Sequence, residues 1–180
     1  MNGFEAALED GDLRLVPFRA EYAEPLREAC AQDTEIWEIY PVNMLDGDAE
    51  AMLRRFHGEE GWVRFVVLVD GAVVGTTSYI SPDLANGTVM IGGTYIEPAI
   101  RGTDVNRRMK KLMIDHAIDC GFWRIEFTVD TRNTRSMAAM EKLGAVREGI
   151  LRKNRVTWTG YVRDTALYSI LADEWRATEH

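Results

Sequence analysis

The sequence predicts a single domain of the α/β (α+β) class, spanning residues 1–180, with a mixed, mostly antiparallel central sheet flanked by helices. Three observations support this class. Apolar runs of strand length are joined by Asp70-Gly71 and Asn86-Gly87, dipeptides that favour tight hairpin turns. Helical apolar spacing follows the strand that stops before Pro98. A further alternating strand at 123–129 comes after that helix, which favours parallel pairing because a helix separates the two strands.

The first third of the chain predicts one strand followed by short helices. Asp12 to Phe18 alternates apolar and polar side chains, as a half-buried strand does. Helical spacing and turn residues then predict three helical segments. They are Glu21–Ala31, Thr34–Tyr40, and a stretch that begins at Asp46 or Asp48 and ends near Gly58 or Gly61.

The remaining elements follow in the order three strands, helix, strand, helix and two strands. They are Val63–Val69, Ala72–Ser81, Val89–Ile96, a helix capped by Thr103 or Asp104, a strand at 123–129, a helix Ser136–Leu143 capped by Asn133 or Thr134, and a hairpin of Ala145–Arg152 with Tyr161–Leu171. Within the central strand, Gly92-Gly93 either supplies a β-bulge or simply weakens the strand.

Composition and charge limit the classes of function. Hydrophobic residues make up 46% and charged residues 28% of the chain, as in a globular protein. The net charge of −8 disfavours nucleic-acid binding, which needs a positive field. Cys30 and Cys120 lack metal-ligand spacing, so we expect no metal and free thiols in a reducing cytoplasm. No apolar run suits a membrane span, and the N-terminus lacks a signal-peptide pattern, so we expect no membrane association.

Basic side chains gather where the helix after Pro98 begins. They are Arg101, Arg107, Arg108, Lys110 and Lys111. A helix N-terminus carries partial positive charge and free N–H groups, so cations are unfavourable there unless an anion joins them. A strand, a glycine loop and a basic helix start therefore predict a phosphate site. The alternative is a solvated basic helix face, with Gly102 as an ordinary turn residue.

This stretch resembles the acetyl-CoA pyrophosphate loop of the GNAT N-acetyltransferase superfamily, whose motif is Arg/Gln-x-x-Gly-x-Gly/Ala. The chain reads Arg101-Gly102-Thr103-Asp104-Val105-Asn106, with Asp104 in place of the expected glycine. Asn106 at the last position is familiar in the branch that resembles ribosomal-protein N-terminal (serine/alanine) acetyltransferases. The order of elements matches the family along nearly the whole chain. The resemblance implies that the sheet splays between the central strand (about 88–97) and the next (about 123–129), leaving a cleft for the pantetheine arm.

A second stretch carries the same resemblance. Asn133 matches an asparagine that hydrogen-bonds pantetheine, and Ser136 matches a serine or alanine three residues on; the alternative is that both only cap the helix. Met140 replaces the tyrosine that protonates the leaving thiolate in many relatives, and Ser136 is thought to serve instead in the ribosomal-protein branch. The resemblance thus implies acetyl-CoA as cosubstrate, bound by Tyr95, Ile96, Arg101, Gly102, Thr103, Asp104, Val105, Asn106, Arg107, Asn133 and Ser136.

Catalysis needs a base, because an aliphatic ammonium with a pKa of about 10 must lose its proton before it attacks. Glu97, beside the predicted cleft, is one candidate and Glu126 is another; either is alternatively an ordinary polar surface residue. Three aromatic residues are candidates for an acceptor pocket, and aromatic core residues are the equal alternative. They are Trp37, Tyr40 and Tyr79.

Two functions remain open at this point. The first is an acetyl-CoA-dependent N-acetyltransferase that moves the acetyl group to a primary amine, such as a protein or peptide N-terminus or a small amine, by direct attack in a ternary complex. The second is a catalytically weak or inactive CoA-binding module on the same fold. Asp104 and Met140 favour the module, whereas Asn133, Ser136 and the basic helix favour the enzyme. A homodimer is a further expectation.

Overall fold

The computed structural model describes residues 3–58 and 60–178, in which one mixed sheet carries helices on both faces. The strands are β1 Leu8–Asp10, β2 Leu13–Pro17, β3 Trp62–Val69, β4 Ala72–Asp83, β5 Thr88–Ile96, β6 Arg124–Asp130, β7 Val146–Val156 and β8 Val162–Leu171. The α-helices are α1 Ala23–Cys30, α2 Ala49–Gly58, α3 Val105–Asp119, α4 Thr134–Lys142 and α5 Ala172–Ala177. The strand order is β1-β2-β3-β4-β5-β6-β8-β7, and only β5 and β6 pair in parallel. The predicted fold class is confirmed.

Two elements were not predicted from the sequence. The short strand β1 pairs with β2 across a turn at Gly11, and its Leu-Glu-Asp sequence has too few apolar residues to show an alternating pattern. The helix α5 follows β8 directly, without a turn residue between them. The segment Thr34–Tyr40 forms a 3-10 helix over Glu35–Ile39.

The glycine pair in β5 forms the predicted bulge. Thr76 faces Tyr95 and Ser78 faces Gly92, so Gly93 and Thr94 together lie opposite a single residue of β4. Gly93 has a φ of +58°, and a Cβ there would come within 2.8 Å of the Trp62 ring. The bulge is therefore built on a residue without a side chain.

The predicted splay of the sheet is also present. β5 and β6 pair only from Thr88 with Arg124 to Met90 with Glu126, although β5 continues to Ile96 and β6 to Asp130. Beyond these pairs the two strands separate. We call the space between β5 residues 91–96 and β6 residues 127–130 the cleft.

Apolar side chains cover both faces of the sheet, including the parts of β5 and β6 that border the cleft. On one face, α3 and α4 contribute to the largest core cluster, with Met109, Met113 and Met140 among its buried members. On the other face, α1, the 3-10 helix and α2 enclose Trp37 and Tyr95. In the described ranges no helix has the length and apolar character needed to cross a membrane.

Candidate active site

The cleft is the central feature of the site. Beyond Met90 the β6-facing edge of β5 has no strand partner, while its other edge remains paired with β4 as far as Ile96. Backbone N–H and C=O groups without a strand partner need another hydrogen-bonding partner. The Tyr40 hydroxyl donates to one of these strand carbonyls, that of Thr94. Apart from the Ile96 carbonyl, which accepts from Arg101, the other groups of this edge can hydrogen-bond to a molecule lying in the cleft.

The start of α3 is suited to an anion. The chain enters the helix through Gly102, whose φ is +84°. The N–H of Arg108 donates to the carbonyl oxygen of Asp104 at 2.9 Å. The N–H groups of Asn106 and Arg107 have no protein acceptor within the described ranges. Free N–H groups at the positive end of a 15-residue helix favour a phosphate group.

Arg101 is held by the protein, and its predicted role in binding the cofactor stays a prediction. Its guanidinium pairs with the carboxylate of Asp33 and also donates to the carbonyl oxygen of Ile96 at 2.7 Å. The two charged side chains are only 19% and 20% exposed. Arg101 therefore ties the loop before α3 to β5 and to the segment that follows α1, an interaction that the resemblance did not indicate.

Two of the other four cations at the start of α3 are also neutralised by the protein. The partners are Asp10 and Asp12 for Arg108, and Asp115 for Lys111. Carboxylates of the protein therefore supply part of the negative charge that the sequence-based argument assigned to a phosphate group, and the phosphate site stays a prediction. Arg107 is exposed and makes no ion pair with any described residue, which leaves it available to a ligand.

Asp104 occupies the N-cap position of α3 without capping it through its side chain. Its carboxylate is 57% exposed and lies 3.9 Å from the Arg108 guanidinium. Thr103 takes the capping role instead, because its hydroxyl oxygen accepts from the N–H of Val105 at 3.4 Å. The residue that replaces the family glycine is thus directed toward a cation of its own helix.

Asn133 and Ser136 lie where β6 passes into α4. The side-chain oxygen of Asn133 accepts from the N–H of Ser136 at 3.0 Å, so the capping role is present. The Asn133 amide nitrogen and the Ser136 hydroxyl make no hydrogen bond to any other described residue. Both groups remain available to a ligand, so the predicted roles of the two residues stay predictions.

The two candidate bases have different surroundings. Glu97 is half-buried at the end of β5, just before Pro98, and its carboxylate makes no ion pair with a described residue. Glu126 accepts from Arg124 at 2.7 Å, and the same guanidinium binds Glu148. A carboxylate already held by a cation is a poor base. Glu97 is therefore the better candidate.

The three predicted acceptor-pocket residues do not form one wall. Trp37 is buried and stacks on Tyr95, with ring centroids 4.8 Å apart. Tyr40 is half-buried and reaches the β5 bulge, and burial raises the pKa of its hydroxyl to about 12. Tyr79 is fully buried between β4 and α3, where its hydroxyl donates to the carbonyl oxygen of Met113 at 2.6 Å. Tyr79 thus occupies the core.

A surface cavity of about 330 Å³ lies on the α2 face of the sheet and was not predicted. Trp158 forms part of its wall and is 50% exposed, with its indole N–H donating to the carbonyl oxygen of Trp37 at 2.7 Å. The sequence feature that could have indicated this cavity is a tryptophan, Trp158, inside the loop of the predicted hairpin. The lining residues are Val42, Asn43, Asp46, Arg55 and Trp158.

A second groove, of about 260 Å³, continues from the start of α3 toward α5. Arg107 and Lys111 of α3 and Lys142 at the end of α4 make it basic, and Trp175 contributes an aromatic surface. Three elements that are distant in sequence meet here. Across residues 3–58 and 60–178, no group of His, Cys, Asp or Glu is arranged to hold a metal ion.

The site combines a sheet that separates with a helix start that has free N–H groups, and comparison with known proteins identifies the family that has this arrangement. Residues 12–146 match the model of the acetyltransferase (GNAT) domain. The chain therefore belongs to the GNAT acetyltransferase family. Among curated proteins, none matches the chain significantly.

Solved structures agree with this family. A protein from T. thermophilus that has been assigned as an acetyltransferase is 33% identical, with 95% of this chain and 92% of that one aligned and a TM-score of 0.85. Two others share the fold. The ribosomal-protein-S5-alanine acetyltransferase from Vibrio fischeri is 20% identical (TM-score 0.76; 94% and 98% covered), and the microcin C7 self-immunity acetyltransferase MccE, in complex with acetyl-CoA and AMP, is 19% identical (TM-score 0.78; 90% and 93% covered).

Proposed function

We propose that the protein is an acetyl-CoA-dependent N-acetyltransferase that acts on a primary amine. The observation that carries this proposal is the juxtaposition of the cleft with the start of α3. A thioester arm needs an extended channel with free backbone partners, and a pyrophosphate needs free N–H groups at a helix start. The two features are adjacent because the loop 97–104 joins β5 to α3.

The proposal assigns each part of acetyl-CoA to a group of residues. The pyrophosphate binds the free N–H groups of Asn106 and Arg107 at the start of α3, with the Arg107 side chain as the cation that is free to pair with it. The pantetheine arm lies along Tyr95 and Ile96, with the Asn133 amide nitrogen as a donor. The remaining phosphate of the nucleotide lies in the basic groove between α3, α4 and α5.

The chemistry is direct attack of the amine on the thioester carbon. The attack forms a C–N bond and a tetrahedral oxyanion, which backbone N–H groups at the β5 bulge stabilise. The C–S bond then breaks, the CoA thiolate takes a proton from the Ser136 hydroxyl, and the Ser136 oxygen regains a proton from the product nitrogen, which the attack had left positively charged. Glu97, acting through water, removes the proton from the incoming ammonium. The protein otherwise contributes mainly orientation, which supplies a large part of the rate.

The acceptor approaches from the α2 face, where the cavity beside Trp158 opens. Asp46 in its wall favours a cationic amine, and Trp158 offers an apolar surface to the chain behind that amine. Tyr40 lies between this side and the cleft, because its hydroxyl reaches Thr94. These features support a peptide N-terminus or a small amine as the acceptor.

Release of thiol from acetyl-CoA tests the proposal. The screen contains short peptides that begin with Ala or Ser, polyamines, free amino acids and aminoglycosides, and mass spectrometry identifies the acetylated nitrogen. We expect turnover with at least one primary amine, and loss of turnover with Ser136→Ala. Turnover only on a hydroxyl acceptor would contradict N-acetylation.

A CoA-binding module without activity is the second candidate, because Asp104 and Met140 occupy positions where the family has a glycine and a tyrosine. Calorimetric titration with CoA separates it from the enzyme. Binding of CoA without turnover of any amine would favour the module. The expected homodimer is tested separately by sedimentation equilibrium.

A further inference from the structure

Lys110 is a charged side chain buried in the floor of the cleft. It lies in the second turn of α3 and is only 4% exposed. Lysine is almost never fully buried unless it has a partner. Here no carboxylate of the described residues pairs with the Lys110 amine. Burial alone lowers the pKa of this amine to about 7.

The amine of Lys110 lies between the two strands at the point where they separate. On the β5 side, Nζ donates to the hydroxyl oxygen of Thr94 at 2.8 Å. On the β6 side, Nζ lies 5.8 Å from the centre of the Phe127 ring. Thr94 belongs to the bulge of β5, and Phe127 is the first residue of β6 beyond the last pair with β5. The Lys110 amine therefore lies between the two strands that border the cleft, on the face of the sheet that α3 covers.

The hydrogen bonds of this amine are incomplete. An ammonium group has three N–H donors and a neutral amine has two. Thr94 is the acceptor recorded for Lys110 in the described chain, and the Thr94 hydroxyl also bonds that of Thr77, at 2.9 Å. Buried donors in native proteins are normally satisfied. At least one N–H of Lys110 is thus available to an acceptor in the cleft.

The position of Lys110 indicates which acceptor this is. Four residues, or roughly 6 Å of helix rise, separate it from the free N–H group of Asn106. A carbonyl oxygen on the arm that leads away from a phosphate at the helix start would lie at this depth. A carbonyl suits an amine whose pKa is about 7, because both protonation states of that amine can donate.

We propose that Lys110 is a cofactor-positioning residue that donates a hydrogen bond from Nζ to a carbonyl oxygen of the acyl-pantetheine arm in the cleft. This inference rests on the proposed function, since it requires that an acyl-CoA occupies the cleft. The competing explanation is that Lys110 only ties α3 to β5 through Thr94. The two explanations differ in whether Lys110 distinguishes ligands that have the arm from ligands that lack it.

The experiment compares CoA with 3′,5′-ADP, which has nucleotide phosphates but no pantetheine arm. In Lys110→Met, a change to an apolar side chain of similar length, we expect the Kd for CoA to rise about tenfold and the Kd for 3′,5′-ADP to stay within twofold. A hydrogen bond involving a charged group is large enough for this effect. Arg107→Ala is the matched control and should weaken both ligands by the same factor. Isothermal titration calorimetry measures the six values, for wild type and the two variants with each ligand.

The outcomes separate failure of the role of Lys110 from failure of the proposed function. Equal effects of Lys110→Met on the two ligands, or an effect on neither, overturn the positioning role. Lys110→Gln keeps a donor, so it should restore at least part of the CoA affinity, and it provides the same comparison if the Met variant does not fold. If wild-type protein binds neither CoA nor 3′,5′-ADP, the proposed function itself fails. If wild-type protein binds both equally well, the arm adds no affinity and the inference fails, while release of thiol from acetyl-CoA remains the separate test of the proposed function.

Discussion

The two sides of the cleft are built in different ways. On the α3 side, the groups proposed to bind the cofactor come from a long helix and the strand before it, and Lys110 and Ile96 among them are buried. On the α2 side, the cavity is lined mainly by the segment between the 3-10 helix and α2 and by the β7–β8 loop, with Arg55 of α2 as the exception and with Trp158 and Val42 exposed. Regular elements fix groups more accurately than loops do. The difference suits a site with one constant substrate and a variable acceptor.

The largest expected effect is on the loop that anchors the α3 side. Arg101→Ala should lower the free energy of unfolding by about 2 kcal/mol, because it leaves the mostly buried carboxylate of Asp33 without its cation. Arg107→Ala is the control and should change stability by less than about 0.5 kcal/mol, since the side chain is exposed and unpaired among the described residues. Urea unfolding compares them, and equal losses would contradict the anchoring role.

The next effect concerns a residue of the α3 side that we expect to lower the stability of the protein. Lys110→Met should raise the free energy of unfolding at pH 7 by about 1 to 2 kcal/mol, because a buried amine with one acceptor is replaced by an apolar side chain. Functional groups often carry such a cost.

The increase in the free energy of unfolding caused by Lys110→Met should depend on pH. The native pKa of Lys110 is about 7, below the ordinary value for lysine. Above pH 7 the unfolded chain therefore binds a proton that the native protein does not, and wild-type stability rises with pH relative to the Met variant. Neither Thr94 nor Phe127, the groups beside the amine, titrates in this range. Unfolding at pH 6.5, 8.0 and 9.5 should show the gap shrinking; a constant gap would contradict the lowered pKa.

A smaller effect is expected on the α2 side, and it should appear in the KM for the amine rather than in stability. Trp158→Ala should raise KM for the amine three- to tenfold, as expected for the loss of one apolar contact, with little change in KM for acetyl-CoA. The exposed Trp123 provides the control, because Trp123→Ala should leave both parameters unchanged. A change in KM for acetyl-CoA alone would place Trp158 on the cofactor side.

The smallest effect is expected at Asp104. Asp104→Gly should cost a few tenths of a kcal/mol in stability, and the Kd for CoA should change by less than about threefold, because the carboxylate is exposed and lies near Arg108. A carboxylate facing a phosphate at about 5 Å would instead repel it by roughly 3 kcal/mol at an effective dielectric of 20. Tightening of more than tenfold on titration with CoA would show that Asp104 faces the cofactor.

Local patterns were sufficient to predict most of the fold. The hairpin at Asp70-Gly71, the bulge at Gly92-Gly93 and the end of β5 before Pro98 each depend on a few neighbouring residues with restricted backbone geometry. β1 was missed because three residues with a single apolar side chain show no alternation. α5 was missed because its apolar residues follow those of β8 without a break.

The site was predictable only where its parts are close in sequence. The start of α3 and the Asn133 cap lie within short motifs. The partners that neutralise Arg108 are 96 and 98 residues away, so the cations looked unpaired in the sequence. The same limit hid the cavity beside Trp158, whose walls come from segments that meet only in the folded protein. Lys110 belonged to the basic cluster in the sequence, and only the structure shows that it is buried.

The outer edge of the sheet has a consequence for solubility. β7 is exposed along all of its residues and has a partner only in β8, so one row of its backbone groups faces solvent. An edge of this kind can recruit a strand from another molecule. Its pairing with β8 is irregular between Leu151 and Arg155, and Lys153 has a φ of +50°. The edge is therefore not a regular extended strand with which another strand could pair along its whole length. Arg152, Lys153 and Arg155 add like charges, so two copies meeting along this edge would repel each other.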